Sequence, residues 1–529
     1  MRPFAILINL LLLVLIFSQT GCYHTYEASK VETDTIPHSL MFPDQAKAYL
    51  INDNIIIFRN GFSKEDNYLI GQYQIFDYKG NFLGTGSKVS ADSIVTITQY
   101  QETTSGGMYF ASTLNIFWGA PLTALAVYCL ACPKCCFGSC PTVYVPSDNG
   151  YVLQAELFSK CISRQLEEND LDKLYYSIPS SGEINLRITN EALETHYINK
   201  FNLNAVTHSK GIKIYQNNKD EFVQIKDLIS SGKIFSSSGN DISELLNEDD
   251  NKYFRSDADK ILELRKSPVM DFIDISTTTS PGKDKIKMLI KYRNTLLTTT
   301  LLYDVVIGSQ GINALEWTQK MNEDRIYAMQ FKAVYDMFSG IFVEVNKNNT
   351  WIEIGKFQDA GPINWKYSVV EIPVENDGGI VEARLKFIPD NVMIDYIAFD
   401  TTDSNENFTV EKINPLRITD CTNQNRSDIS EFINEDDNRY LITIPGDCYF
   451  FHYDFKKPSD KETSLFIESK GYYNEWIRGN WIKEKNTLYS FNLFDIQGTL
   501  NKLVDSWLEN KDLLEQEFFN SRIPLREAK

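Results

Sequence analysis

Apolar and polar side chains alternate in short runs along much of this chain, and Gly, Asn and Asp break the runs. Glu183-Ile-Asn-Leu-Arg-Ile188 is one such run and Glu382-Ala-Arg-Leu-Lys-Phe387 is another. A period of two sends successive side chains to opposite faces of a half-buried strand. Residues 55–98 carry short strands of this kind, with Tyr78-Lys79-Gly80-Asn81 as a turn between two of them. Residues 301–338 hold fewer turn signals and read as helical. Leu500, Leu503, Val504, Trp507, Leu508, Leu513, Leu514, Phe518 and Phe519 give a second helix with one apolar face. The fold is therefore expected to be mainly β.

A repeat organises the body. Asp241-Ile-Ser-Glu-Leu-Leu-Asn-Glu-Asp-Asp-Asn-Lys-Tyr-Phe254 recurs as Asp428-Ile-Ser-Glu-Phe-Ile-Asn-Glu-Asp-Asp-Asn-Arg-Tyr-Leu441, identical at ten of fourteen positions. Upstream, Val143-Tyr144-Val145, Asp148-Asn149-Gly150 and the strand that follows match Phe342-Val343-Glu344, Lys347-Asn348-Asn349 and their strand, at an offset of 199. Both read as hairpins, since Asn-Gly is a strong two-residue turn signal. The offset falls from 199 to 187 before the acidic box, a difference of twelve residues that reads as a change of loop length. Each copy has the size and strand spacing of a β-sandwich or jelly roll. The expected order is a signal peptide (1–21), a lipid-anchored tether (22–44), a small β unit (45–102), and an uncharged apolar stretch with a Cys-rich knot (103–140). Then come sandwich copy 1 (141–295), a helical connector (296–339), copy 2 (340–475) and a C-terminal helical segment (476–529).

The N-terminus supplies an address. Arg2 precedes an apolar run from residue 5 to residue 17, and Ser18-Gln19-Thr20-Gly21-Cys22 follows. This is the pattern of a secretory signal with a small residue before the cut. A cysteine directly after Gly21 looks like a bacterial lipobox, in which Cys22 is diacylated and becomes the mature N-terminus. Gln19 departs from that pattern, which usually has an aliphatic residue there. The alternatives are an ordinary signal peptide or an N-terminal membrane anchor, although the run is short for a span of ~20 residues. The expected location is the bacterial cell envelope, lipid-anchored, at the outer membrane. Residues 116–131, largely apolar within an uncharged stretch, are a further candidate for a membrane span or for a buried or interface-dipping helix.

Export also sets the reading of the cysteines. Beyond Cys22, eight remain, an even number in an oxidising compartment. Cys421 and Cys448 are alone in the C-terminal half and pair most simply with each other. Cys129, Cys132, Cys135, Cys136, Cys140 and Cys161 are the other disulfide candidates, with 15 possible pairings. An iron–sulfur run would need Cys140-Pro141 one residue earlier. A zinc site from four of the thiolates stays open, without a nearby His.

Composition narrows the partners. Among 529 residues, 71 Asp+Glu against 52 Lys+Arg give a net charge of −19. That excludes a protein built mainly to hold nucleic-acid phosphates and argues against attraction to anionic lipid. Only five histidines are present, so His-dependent chemistry has few places to live.

The acidic boxes are the best candidates for chemistry. Asn247, Asp249, Asp250 and Asn251, with Asn434, Asp436, Asp437 and Asn438, offer oxygen ligands that could hold Ca2+. They lack the EF-hand spacing, and Asp and Asn also cap turns. No other cofactor is expected. Glu191, Glu194 and His196 place a histidine near two carboxylates, which reads as a solvated turn more readily than as an acid–base pair. Trp351, Trp365, Trp476 and Trp481 could stack on sugars or on a partner protein, as could the aromatics of the turn-like Gly471-Tyr472-Tyr473-Asn474-Glu475-Trp476 segment. No motif identifies a catalytic residue.

Cys136-Phe-Gly-Ser-Cys140-Pro-Thr-Val-Tyr144, then Leu153-Gln-Ala-Glu156 and Asn190-Glu-Ala-Leu-Glu-Thr-His196, resemble a group of uncharacterised bacterial lipoproteins of outer-membrane type. The likeness covers roughly residues 45–525 and implies no activity. Thr350-Trp-Ile-Glu-Ile354 and Met393-Ile-Asp-Tyr-Ile-Ala-Phe399 resemble galactose-binding-like sandwiches. The expected function is non-enzymatic binding of an envelope protein or a glycan. The alternatives are a carbohydrate-active hydrolase and a structural subunit of an outer-membrane complex.

Overall fold

The computed structural model describes residues 24–31, 46–50, 54–58, 61–76, 82–104, 140–147, 150–475 (apart from 193, 258, 376, 403–405, 438 and 445) and 495–518. Cys22, Cys129, Cys132, Cys135, Cys136, Asn438, Trp476, Trp481, the Tyr78–Asn81 turn and residues 116–131 lie outside the described residues. The protein is mainly β, in two compact units.

The N-terminal unit is one antiparallel sheet. Its strands are β1 (His24–Val31), β2 (Ala46–Leu50), β3 (Ile55–Phe58), β4 (Ser63–Glu65), β5 (Tyr68–Phe76), β6 (Phe82–Ser90) and β7 (Ile94–Thr104), in the order β1-β7-β2-β3-β5-β4 with β6 also on β5. Ala48, Ile56, Phe58, Leu69 and Ile97 form its core. Residues 24–31 are thus not part of a free tether. They pair with β7 from His24 opposite Thr104 to Val31 opposite Ile97, and so cover an edge that β7 would otherwise leave open.

The described residues of the second unit form twenty-one strands. Copy 1 supplies β8 (Thr142–Ser147), β9 (Gly150–Glu156), β10 (Asn169–Leu174), β11 (Glu183–Thr189), β12 (Glu194–His208), β13 (Lys213–Gln216), β14 (Phe222–Ile225), β15 (Leu228–Ser230), β16 (Lys233–Ser236), the short helix α1 (Ser243–Leu246), β17 (Asp271–Thr279) and β18 (Lys285–Asn294). The connector is helical: α2 (Leu297–Thr300), a π-helical turn (Leu301–Ile307), α3 (Ala314–Glu323) and α4 (Arg325–Asp336), the last capped by Asp324 accepting from the Tyr327 N–H at 3.0 Å. Copy 2 supplies β19 (Ile341–Lys347), β20 (Thr350–Phe357), β21 (Lys366–Pro373), β22 (Gly379–Phe387), β23 (Val392–Asp400), β24 (Thr409–Ile413), β25 (Arg417–Asp420), α5 (Ser430–Ile433), β26 (Leu441–Thr443), β27 (Cys448–Asp454) and β28 (Glu462–Glu475). The chain's last described helix is α6 (Ile496–Phe518).

The copies do not each close a sandwich of their own. One outer sheet has the order β25-β27-β11-β8-β9 and the other β16-β17-β22-β19-β20; one inner sheet reads β10-β28-β12-β24 and the other β15-β23-β18-β21. Each of these four sheets therefore joins the first half of one copy to the second half of the other. The two arrangements are equivalent, since β8–β12 correspond to β19–β23, and β15, β16, β17 and β18 to β24, β25, β27 and β28; the short β26 answers to a single bridge between Phe254 and Ile394. The boxes follow suit, because α1 and α5 open them at matching places. The tandem division at residues 295 and 340 is replaced by an exchange. The first sandwich comprises roughly residues 140–208 and 409–475, and the second, roughly 228–400, lies within it in sequence. Antiparallel pairing explains why this is possible. β24 takes beside β12 the place that β15 takes beside β23, so either second half fits either first half.

Ile234, Ile273, Met288, Val343, Val370, Leu385 and Phe399, drawn from both inner and outer sheets, form the core of the second sandwich. Phe201 of β12 meets Phe451 of β27 at 5.1 Å in the first. β19 and β20 turn through Asn348 and Asn349, both at positive φ (52° and 62°), as the two-residue hairpin requires. The twelve extra residues of copy 1 are the β13–β14 hairpin, which is absent between β23 and β24. Along α6, Leu500, Leu503, Val504 and Trp507 are buried, and the Trp507 indole donates to Asp390 at 2.7 Å.

Candidate ligand-binding groove

Residues 222–224, 282 and 284–287, with Glu371, Asp400, Thr402, Glu406 and Phe408, contribute to an open groove of about 820 Å³. Phe222 and Phe408 meet edge to face, with ring centroids 6.3 Å apart and planes at 80°, and both pack on the core of the first sandwich. The floor is charged and polar. Lys287, almost fully buried, donates to the Gln224 carbonyl at 2.7 Å and lies 3.9 Å from Asp400. Asp400 also accepts from the Thr402 N–H (2.7 Å) and hydroxyl (2.6 Å) and from the Lys226 N–H (2.9 Å). At the mouth Lys285 meets Glu371 at 2.8 Å, and Asp284 and Glu406 are exposed. The lining is mostly polar and charged, with Phe222, Val223, Ile286 and Phe408 as its apolar part. No sequence motif marked it, because its lining comes from four separate strands.

The predicted boxes are elsewhere, and lysines occupy them. In the first, Lys291 of β18 pairs with Asp249 at 2.6 Å, reaches Asn251 at 3.3 Å and pairs with the fully buried Asp395. Tyr367 also donates to Asp249. In the second, Lys470 of β28 pairs with Asp436 at 2.7 Å, and Lys412 donates to the Asn434 carbonyl at 2.7 Å. Asp250 accepts from the Lys252 N–H and Asp437 from the Arg439 N–H, each at 3.0 Å, which closes a turn. Asn247 accepts from the Ser231 hydroxyl at 2.5 Å. A cation would have to displace an ammonium group in each box.

Asn190–His196 is a correction. It is no solvated turn: Glu194 and His196 are wholly buried at the start of β12, which is covered on both faces. His196 Nε2 lies 3.0 Å from Glu194, its Nδ1 lies 3.2 Å from the Thr443 hydroxyl, and Glu191 accepts from Tyr144 at 2.8 Å. The carboxylate–imidazole–hydroxyl order is suggestive, but all three side chains are buried, and none of them lines the groove. Tyr472 and Tyr473 are likewise buried, in the end of β28 and not in a turn. Gly471 permits this, since a Cβ there would lie 2.3 Å from the Tyr197 carbonyl.

Of the cysteines, Cys421 and Cys448 are paired, with Cα atoms 5.5 Å apart. Cys140 and Cys161 are not disulfide-bonded, contrary to expectation; both are buried free thiols, and burial pushes Cys161 up to about 12. Trp351 and Trp365 are half-buried beneath cations: the Arg384 guanidinium sits 4.2 Å above Trp351, and Arg293 sits 5.0 Å above Trp365. No His/Cys/Asp/Glu cluster suited to a metal occurs among the described residues. None of their helices is long and apolar enough to cross a membrane.

A second charged cluster lies between the sandwiches. Lys366 of β21 meets Asp170 at 2.8 Å and Asp172 at 3.1 Å, both on β10. Burial works against the Lys366 charge, but Asp170, Asp172 and Asp220 hold its pKa well above the usual lysine range. Burial, reinforced by Asp170, pushes Asp172 up to about 7. The adjoining cavity is only water-sized, about 20 Å³.

No family model matches this chain, and no curated protein does. Among solved structures it is similar to an uncharacterized protein, lmo2446, of Listeria monocytogenes (8% identity, TM-score 0.14, covering 65% of this chain and 30% of that one). The secreted serine protease VesC of Vibrio cholerae gives 7% identity and a TM-score of 0.13, over 71% of this chain and 99% of that one. A GH31 alpha-xylosidase of Xanthomonas citri gives 6% and 0.13, over 84% and 38%. Similarity at this level carries no functional argument.

Proposed function

We propose that this protein is a lipid-anchored envelope protein that binds a glycan or a partner protein without catalysing a reaction, and that the groove lined by Gln224, Lys285, Lys287, Glu371 and Asp400 is its binding site. The observation that carries this reading is the groove itself, of ligand size and lined mostly by polar and charged side chains, among them the ion-paired Lys287 and Asp400. The signal-like N-terminus ending in Gly21-Cys22 supports the address, and diacylation supplies the stable anchoring that one chain does not.

Two measurements test it. Metabolic labelling with a fatty acid should mark the natural protein and not Cys22→Ser; equal label on both removes the anchor. Gentle solubilisation and co-purification, beside glycan-array binding, should yield a partner or a glycan that Phe408→Ala loses. Polysaccharide turnover that disappears in Glu406→Gln would replace binding by hydrolysis.

A further inference from the structure

We propose that a cluster of tyrosines where the two sandwiches meet is a second ligand site, and that its ligand is a neutral oligosaccharide. Tyr175 follows β10 of the first sandwich, Tyr215 lies on β13, and Tyr367 and Tyr396 flank Lys291 in register on β21 and β23. The Tyr367 ring stands 5.3 Å from that of Tyr175 and 5.8 Å from that of Tyr215. Tyr367 donates to Asp249, which Lys291 holds at 2.6 Å. The hydroxyls of Tyr175, Tyr215 and Tyr396 donate to no described residue. Tyr215 is only 6% exposed, and a hydroxyl on so buried a side chain calls for a partner. Tyr175 is 47% exposed, so the cluster opens to solvent. Burial raises the pKa of all four phenols, and the Asp249 carboxylate adds to the rise in each, so the four hydroxyls surround one carboxylate.

The pairing of the charges rules out an ionic ligand. Lys291 is committed to Asp249 and to the buried Asp395, so it has no charge to offer an anion, and Asp249 repels one. A cation would have to displace Lys291. Ring faces and hydroxyls remain. Lys291 stands 5.5 Å from the Trp365 ring and 5.7 Å from that of Tyr367, and the exposed Tyr253 extends the surface 5.9 Å beyond Trp365. A sugar meets both demands, since its C–H face covers an aromatic ring while its hydroxyls donate and accept. Rings on either side of Lys291 call for a chain of linked sugars. A proline-rich peptide also suits aromatic rings, but it has no N–H for Asp249, which only accepts. The repeat supports a ligand at this place. Asn169 and Lys200 flank Lys470 in the first sandwich as Tyr367 and Tyr396 flank Lys291 in the second, and Tyr440, the counterpart of Tyr253, is buried with its hydroxyl on Glu167. The second sandwich thus carries tyrosines where the first carries polar side chains, and rings left open to water mark a contact surface. This site is distinct from the groove: on β18, Leu289, packed with Tyr215, separates Lys291 from Lys287. The two share only the reading of the chain as a binding protein.

Calorimetric titration of the full chain with cellotetraose, maltotetraose and N-acetylglucosamine tetramer, beside tetragalacturonate and decaproline, tests this. At least one neutral tetramer should bind, and about tenfold or more tightly than the acidic tetramer or the peptide. Tyr175→Ala, at an exposed position, should abolish that binding. Tyr175→Phe/Tyr396→Phe, which removes two hydroxyls and keeps the rings, should weaken it about tenfold. Tetragalacturonate binding as tightly overturns the neutral class, and decaproline binding that the same variants lose makes this a peptide site. A tetramer kept by Tyr175→Ala but lost by Phe408→Ala belongs to the groove and removes this site while the groove reading stands. A tetramer that neither variant weakens, or no binding of any neutral tetramer, overturns the proposal.

Discussion

Ile214 and Tyr215 are neighbours in β13, yet their side chains belong to different hydrophobic cores. Ile214 packs with Leu171, Val206 and Phe466 on the inner sheet of the first sandwich. Tyr215 packs with Leu289 and Val369 on the inner sheet of the second. The alternation of a strand sends successive residues to opposite faces, so one short hairpin fastens both sandwiches. Its partner strand does the same through Phe222 and Val223.

This wedge has a measurable strength. Ile214→Ala should cost about 2–5 kcal/mol, the range for a fully buried aliphatic side chain. Tyr215→Ala should cost about as much, since it also removes the ring 4.1 Å from the Lys173 ammonium. Urea unfolding of both variants measures this; midpoints equal to that of the natural protein would show that the hairpin fastens nothing.

Acidity should stabilise the junction. Asp172 titrates near 7 when folded and near 3.9 when unfolded, so the folded protein holds its proton more tightly. That contribution is complete below about pH 4 and is lost as pH rises through about 7, with a slope of up to ~1.4 kcal/mol per pH unit. Asp220, raised to about 6 by burial, acts in the same direction. Thermal melts should show higher stability at pH 5.5 than at pH 8, and Asp172→Asn should flatten the difference. A difference undiminished in that variant assigns the effect elsewhere.

Lys291 should be needed for folding, not for a metal. Its ammonium neutralises Asp395, which is fully buried. Lys291→Met should destabilise by about 3–5 kcal/mol, and Asp395→Asn added to it should restore part of that loss. Rescue of the single variant by millimolar calcium, with no effect of Asp395→Asn, would turn the box back into a cation site.

The thiols should divide cleanly. Cys421 and Cys448 close a 27-residue separation, for which loop entropy gives ~3.5 kcal/mol, so replacing both with Ala should lower stability by about that amount. Cys140 and Cys161 should resist alkylation in the native protein and react after denaturation, because both are buried and burial suppresses their thiolates. Rapid native labelling at either position would contradict their burial.

Local pattern was enough for many elements of this fold, although β1, the start of β12 and the end of β28 read as tether or turn. The period of two at Glu183–Thr189 and Gly379–Phe387, the Asn348-Asn349 turn and the apolar face carrying Leu500 and Trp507 are properties of neighbouring residues, and they form as local chemistry dictates. The duplication was equally legible, since two boxes of near-identical sequence take matching places. Which strands pair was not. β12 meets the same backbone donors and acceptors, in the same order, whether β15 or β24 lies beside it. Connection and packing choose between them, through the hairpin that copy 1 carries and copy 2 lacks. The burial of His196 and the opening of the groove follow from that choice. Sequence spacing cannot report either, because each is made by residues that meet only once the two halves have exchanged.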